Sequence, residues 1–426
     1  MLGKFLKRFL FVTMLMISSK LWASNPIILN ESRPIQSQFK SKNCVYIVRT
    51  DIDLKGEAVY IPYNSILKFE SGSLKNGTIT YNDTYIEGRY CIQCKCKGII
   101  SNDIVDPRMY GARGDGKTDD SDAIQQSIDN KKHVLFHRST YLIEKPLVFD
   151  KQNFIVDFNL STIKKTNRIG YNYKYDIYNF NSIPCLLLIK PYASNTSGHI
   201  VIKNLIIDGG KANIGIHAVW CRNVILDNVR IYGAIQGFVS NGFTNTFRDI
   251  TIWDSNEGFV LYGGGATLFE RCFSTKCGWD IKNATGLTLI ACSSDDYDPC
   301  YRISNSSVTM TGCTFESKGL GIDIDNSVVS ISGDYQTHIY DSTKGLTYIK
   351  ARNNSIVNAQ SCNFRLNNYM KKKVPSSNLF EALNNSQIII DGQITHSSSE
   401  IRVGRSTGGV VKVNGVELKN GINIIN

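Results

Sequence analysis

Asp280, Arg302 and Asp323 are the residues of this 426-residue chain whose types and spacing best fit chemistry. They recur at one place in an imperfect repeat, in the segments GWDIKN, CYRISN and GIDIDN. Two carboxyl groups flanking a guanidinium fit work on an acidic sugar in two ways. Glycoside hydrolysis takes two carboxyls, ~5–5.5 Å apart for retention or ~6.5–9.5 Å apart for inversion. Elimination from a uronate needs a base for the proton α to the carboxylate and a cation to neutralise that carboxylate. Arg302, Lys282 and His217 are the groups available for that. His217, Asn241, Tyr262, Lys282 and Asp325 occupy solvent-facing places of the same repeat and are candidate substrate-binding residues, with Lys350 further along. A solvated sheet face whose charges guard against association carries the same residue types, so the two readings stay open.

The element that must position these residues is the repeat itself. From about residue 200 the chain returns to the same pattern roughly every 20 to 24 residues. Asn204, Asn228, Asp249, Arg271, Ala291, Gly312 and Gly333 mark equivalent points, and Ser361 follows after a longer interval. Each unit holds short, alternating, β-branched strands, which predicts an all-β solenoid of stacked parallel coils. In the second strand of each coil, Ile216, Phe238, Phe259, Trp279, Tyr301, Ile322 and Leu346 share one column. Ala218, Ser240, Leu261, Ile281, Ile303, Ile324 and Tyr348 share another. Strand side chains alternate faces, so both columns point inward and the residues between them point out. Stacked strands lie ~4.8 Å apart, so Asp280 and Asp323 bracket Arg302 one rung on either side. Cys272, Cys292, Cys313 and Cys362 share a register position and read as a ladder of buried thiols. A catalytic thiol needs a positive, partly open site.

Residues 110–129 read YGARGDGKTDDSDAIQQSID. A tight acidic turn leads into a short helix, with Ser121 or Asp122 as N-cap and Ala123, Ile124, Ser127 and Ile128 on one face. Asp115, Asp119, Asp120 and Asp122 are enough carboxylates for calcium, but capping and bonding the turn backbone is the favoured role. The string closely resembles the segment that opens the pectate-lyase-like right-handed β-helix proteins. That superfamily includes polysaccharide lyases, glycoside hydrolases, sugar epimerases and phage tailspikes. The resemblance implies a right-handed, single-stranded parallel β-helix with a short N-terminal capping helix, acting on a polysaccharide. It supplies no catalytic residue. Polygalacturonase-like hydrolases carry Asn-Thr-Asp, Asp-Asp, Gly-His-Gly and Arg-Ile-Lys on successive coils. Here NEG at 256–258, KCG at 276–278 and DPC at 298–300 stand in comparable places, Asp295-Asp296 comes early, and Arg302-Ile303-Ser304 lacks the lysine. The calcium pectate-lyase pattern is not recognisable.

Residues 1–23 have the basic start, apolar run and Leu21-Trp22-Ala23 ending of a secretory signal, too short to span a membrane. Residues 24–105 alternate and turn without the later register, as a β-rich cap or extension, and residues 106–426 form the β-helix. The net charge of +11 suits an acidic polymer. The export signal and the lack of a recognised motif speak against nucleic acid. Twelve cysteines in an exported chain permit disulfides. Cys91, Cys94 and Cys96 are spaced for zinc but lack a fourth ligand, which favours a local disulfide or buried thiols. Residues 165–200 are rich in tyrosine (Tyr171, Tyr173, Tyr175, Tyr178), suiting either a packed loop or stacking on sugars, and Lys371-Lys372-Lys373 reads as a solvated loop. The expectation is an exported protein, periplasmic or extracellular, that hydrolyses an acidic, uronate-containing glycan. The alternatives are a lyase working by β-elimination and a non-catalytic glycan-binding, adhesin or tailspike-like β-helix. Hydrolysis needs no cofactor, whereas a lyase would draw on Ca2+.

Overall fold

A computed structural model describes residues 25–130, 132–165, 184–190, 199–211, 213–338, 347–367, 378–395 and 400–424. The secretory segment 1–23, the four tyrosines at 171–178 and Lys371–Lys373 lie outside the described residues. The chain divides into two compact units between Leu142 and Ile143.

In the first unit parallel stacking begins at once. Ile27–Ile28 pairs with Val45–Val48, which pairs with Ile66–Phe69, which pairs with Leu74–Gly88. Ile92–Ile100 follows on Leu74–Gly88, again in parallel. The register that sequence reading finds only from residue 200 is therefore preceded by similar coils, hidden because their strands are short and unevenly spaced. The acidic turn then folds back on itself. Asp115 accepts from the N–H groups of Lys117 and Thr118, both at 2.8 Å. Asp120 accepts from Arg113 N at 2.7 Å and Gly114 N at 3.0 Å. The helix Ser121–Asn130 follows. Asp119 Oδ1 accepts from Ser121 N at 3.0 Å, and the Asp120 carbonyl takes the Ile124 N–H. Asp119 and Asp120 thus both bond the first turn of the helix, which begins at Ser121. Ile124, Ser127 and Ile128 are buried as the helical spacing predicts, while Ala123 is half-buried.

The second unit is a stack of parallel coils, each adding a strand to two long sheets. The chain is mostly β, with the repeating parallel stacking of a β-helix. One sheet runs from Leu147–Phe149 and Cys185–Ile189 through Ile214–Ala218, Gln236–Ser240, Glu257–Tyr262, Trp279–Lys282, Tyr301–Ser304 and Leu320–Asp325 to Thr347–Arg352. Its pairings are parallel as far as Glu400–Arg405, which pairs antiparallel with Gly421–Ile424. All eight repeat markers are corners with φ between 51° and 136°. Asn and Gly tolerate that left-handed bend best. The asparagines also bond along the stack, Asn228 Nδ2 to Asn204 Oδ1 at 2.8 Å and Asn204 Nδ2 to Asp157 Oδ1 at 2.9 Å. A second, unanticipated ladder uses the Asn-Ser pairs at 305–306, 326–327, 354–355 and 385–386. Ser306 N donates to Ser327 Oγ, Ser327 N to Ser355 Oγ and Ser355 N to Ser386 Oγ, at 3.0, 3.2 and 3.1 Å.

The inward columns fill the core. Phe238, Phe259, Trp279 and Tyr301 are all at most 1% exposed, and the rings of Phe259 and Trp279 stack with centroids 3.8 Å apart. Aromatic stacking of this kind adds to the burial of large apolar area. The next two members of the columns are Ile349 and Ala351, paired with Ile322 and Ile324. Tyr348 therefore sits three residues before the place expected for it, buried against Phe364 and Phe380, and Leu346 lies outside the described residues. Glycines open several of these strands because there is no room for a side chain. A Cβ on Gly237 would lie 2.5 Å from Ile252 Cγ2. All twelve cysteines are free thiols and only Cys91 is exposed. Cys272, Cys292 and Cys313 stack as expected, each Sγ reaching a backbone carbonyl of the preceding coil. Gly333 interrupts the ladder before Cys362.

Candidate functional site

The outward column of the second sheet reads His217, Val239, Val260, Asp280, Arg302, Asp323, Lys350 and Glu381, each paired with the next. Asp280, Arg302 and Asp323 are consecutive rungs. A second outward column holds Tyr262, Lys282, Ser304, Asp325 and Arg352. Lys282 and Asp325 thus flank the three central residues, and Tyr262 lies one coil before.

His217 is not part of that cluster. Val239 and Val260 separate it from Asp280, and both are at most 1% exposed although they lie on the outer side. With Cys185, Leu188, Ile214 and Val219 they make an apolar cluster, against which Tyr262 packs. Burial pushes the His217 imidazole down to about 4, so it is neutral near pH 7. Asn241 does not face solvent. It is 6% exposed, and its Oδ1 accepts from Trp220 N at 2.7 Å. Its role here is to hold the backbone of the neighbouring coil.

Most of the charged groups are already engaged. Lys282 Nζ donates to Asp280 Oδ2 at 2.6 Å and lies 5.3 Å from the Tyr262 ring centroid. Burial draws the Lys282 ammonium down, but its bond to Asp280 outweighs that and holds it above its usual value. Burial also raises the Tyr262 hydroxyl. Arg352 binds both oxygens of Asp323, and its Nε reaches Asp325 Oδ2 at 3.1 Å. Lys350 pairs with Glu381 at 3.2 Å. Two groups stand apart. Arg302 is exposed and, among the described residues, makes no ion pair although carboxylates flank it on both rungs. Asp280 Oδ1 is buried without a hydrogen-bond partner. The two residues sit opposite each other on adjacent strands, whose backbones lie ~4.8 Å apart. Such a pair can take a hydroxyl donor and an anion side by side.

Sequence reading missed several members of this face. Arg352 went unnoticed because the long interval before Ser361 blurs the register at that coil. Gln236 Nε2 donates to Glu257 Oε2 at 2.5 Å, and Tyr297 Oη reaches back to Asn256 O at 3.3 Å. Glu257, a strand-entry acid already visible in the sequence, is exposed at the start of its strand. Asp296 and Asp298, in the acidic turn that enters the Arg302 strand, bond to neighbouring coils. Asp296 pairs with Lys318 at 2.6 Å, and Asp298 Oδ1 accepts from Leu320 N at 2.9 Å.

No family model matches the sequence, and no curated protein matches it. Solved structures do match. The tailspike gp42 of Acinetobacter phage vb_AbaP_AS12 aligns with a TM-score of 0.59 at 18% identity, over 76% of this chain and 65% of that one. The chain therefore spans less than two thirds of that tailspike. The Streptococcus pneumoniae surface adhesin PfbA aligns at 0.47 and 11% identity, over 73% of this chain and 92% of that one. DFA-IIIase of Arthrobacter chlorophenolicus A6 aligns at 0.48 and 12% identity, over 73% and 93%. At 18% identity the likeness to the tailspike shows a shared fold and nothing further. No helix among the described residues is long and apolar enough to cross a membrane.

Proposed function

We propose that the protein acts on an acidic, uronate-containing polysaccharide laid across the outer face at Asp280, Arg302 and Asp323, and that the reaction is glycoside hydrolysis. The observation that carries this reading is the pairing of a buried, unpartnered Asp280 Oδ1 with an exposed, unpaired Arg302 one rung away. A uronate carboxylate would pair with Arg302, and a sugar hydroxyl would bond Asp280 Oδ1 once the side chain turns to bring that atom to the surface. Asp280 and Asp323 stand two rungs apart, about 9–10 Å of strand spacing, close to the ~6.5–9.5 Å gap of inverting hydrolases. Tyr262, Lys282 and Asp325 would contact the sugar chain along the second column, while His217 and Asn241 hold the scaffold. Elimination is less well served, because Asp280 keeps Lys282 protonated and His217 is three rungs away. Export by residues 1–23 belongs to the same proposal. Binding without cleavage is the second reading, favoured by Arg352 occupying both oxygens of Asp323.

Purified protein incubated with neutral and uronic-acid polysaccharides, with and without calcium, is expected to release reducing ends without unsaturated uronate. Asp280→Asn is expected to lower kcat by about 10²-fold or more, and Arg302→Gln to raise KM. Saturable binding with no new reducing ends on any substrate would replace hydrolysis by the binding reading. Unsaturated product would replace it by elimination.

A further inference from the structure

We propose that the first unit carries its own binding site for an acidic saccharide, in a cleft between the strand Ile92–Ile100 and the acidic turn with its helix. The cleft has a volume of 910 Å³, within the ~300–1,000 Å³ usual for ligand sites. All of its lining residues lie between Gly56 and Gln126, within this unit.

Its chemistry is set by alternation along one strand. Along this strand Cys94 and Cys96 are buried and Gln93, Lys95 and Lys97 are exposed, and all five line the cleft. Lys95 and Lys97 sit two residues apart on one face, about 7 Å along the strand. Arg113, from the acidic turn, lines the same cleft. All three cations are exposed, and among the described residues none makes an ion pair. Three unpaired cations around one concavity attract an anion. The helix side contributes Asp119 and Asp122, and Asn76, Thr78 and Gln126 complete a polar lining. Hydroxyl and amide groups beside cations suit a ligand that carries hydroxyls as well as negative charge. A carboxylated or sulfated sugar has both, whereas a simple inorganic anion has no use for Thr78 and Gln126. The floor is built by backbone. Gly111 has φ 94°, and a Cβ there would lie 2.1 Å from Cys94 O.

This site stands apart from the hydrolysis reading and needs no cleavage to be real. The full chain bearing Asp280→Asn and Arg302→Gln would be titrated calorimetrically with a galacturonate hexasaccharide, a heparin-derived hexasaccharide, maltohexaose and sodium sulfate. At least one acidic hexasaccharide is expected to bind, and maltohexaose and sulfate are not. Adding Lys95→Gln, Lys97→Gln and Arg113→Gln is expected to weaken that binding at least tenfold. Lys95→Arg with Lys97→Arg is expected to retain it, which separates loss of the site from loss of the fold. Unchanged affinity in the triple variant, equal binding of sulfate alone, or no binding of either acidic hexasaccharide would overturn the proposal. Failure of the hydrolysis reading would show only in the cleavage assay with the second unit intact.

Discussion

At the scale of single residues, burial decides what each group can do. His217 faces outward by register, yet burial lowers its pKa to about 4, against an unfolded value near 6.5. The unfolded chain then binds the extra proton between those two values. Stability is full above about pH 6.5, falls as pH drops towards 4, and levels off below that, by up to about 3 kcal/mol. His217→Gln is expected to remove this slope, measured by urea unfolding at pH 7 and pH 4.5. Asp120 behaves in the opposite sense. Burial raises it to about 6 against the pull of two backbone N–H groups, so stability falls as pH rises from about 3.8 to 6 and levels off above that. Thiol titration offers another check. With only Cys91 exposed, the native protein is expected to present one fast-reacting thiol and the denatured protein all twelve. Several fast thiols in the native state would contradict the buried ladder.

At the scale of elements, each coil is tied to the next by a few repeated bonds. Ser355 is fully buried, and its Oγ takes the Ser327 N–H while donating to Arg352 O. Ser355→Ala leaves a buried N–H without a partner and is expected to cost about 1–3 kcal/mol, read by chemical denaturation. It also loosens the carbonyl of the residue that clamps Asp323. A loss under about 0.5 kcal/mol would mean that water replaces the hydroxyl. The charged columns contribute little to stability by comparison, since exposed ion pairs are worth about 0–1 kcal/mol. Their fixed order, acid then base along the stack, matters for what the face can bind.

At the scale of the molecule, a stack of coils couples mainly through nearest neighbours. Trp279 lies in the central stack between Phe259 and Tyr301. Trp279→Ala is expected to cost about 3–5 kcal/mol. Hydrogen exchange should rise first in the strands Glu257–Tyr262 and Tyr301–Ser304, leaving distant coils protected. Uniform loss of protection would instead indicate one cooperative unit.

The parallel coil architecture and the shared column of Asp280, Arg302 and Asp323 were legible in the sequence because both follow from periodicity. A coil length and a two-residue alternation fix which side chains stack and which face they take. The left-handed corners fell on the same markers, five of which are Asn, Asp or Gly, while Arg271, Ala291 and Ser361 are held in that bend by the coil itself. Periodicity does not report what lies over a face or where a long side chain reaches. Only the tertiary structure half-buried His217, took Asn241 out of solvent, put Arg352 on Asp323 across a coil of irregular length, and left Asp280 Oδ1 and Arg302 without partners. Those outcomes depend on packing and reach between coils, which residue spacing within one coil does not encode.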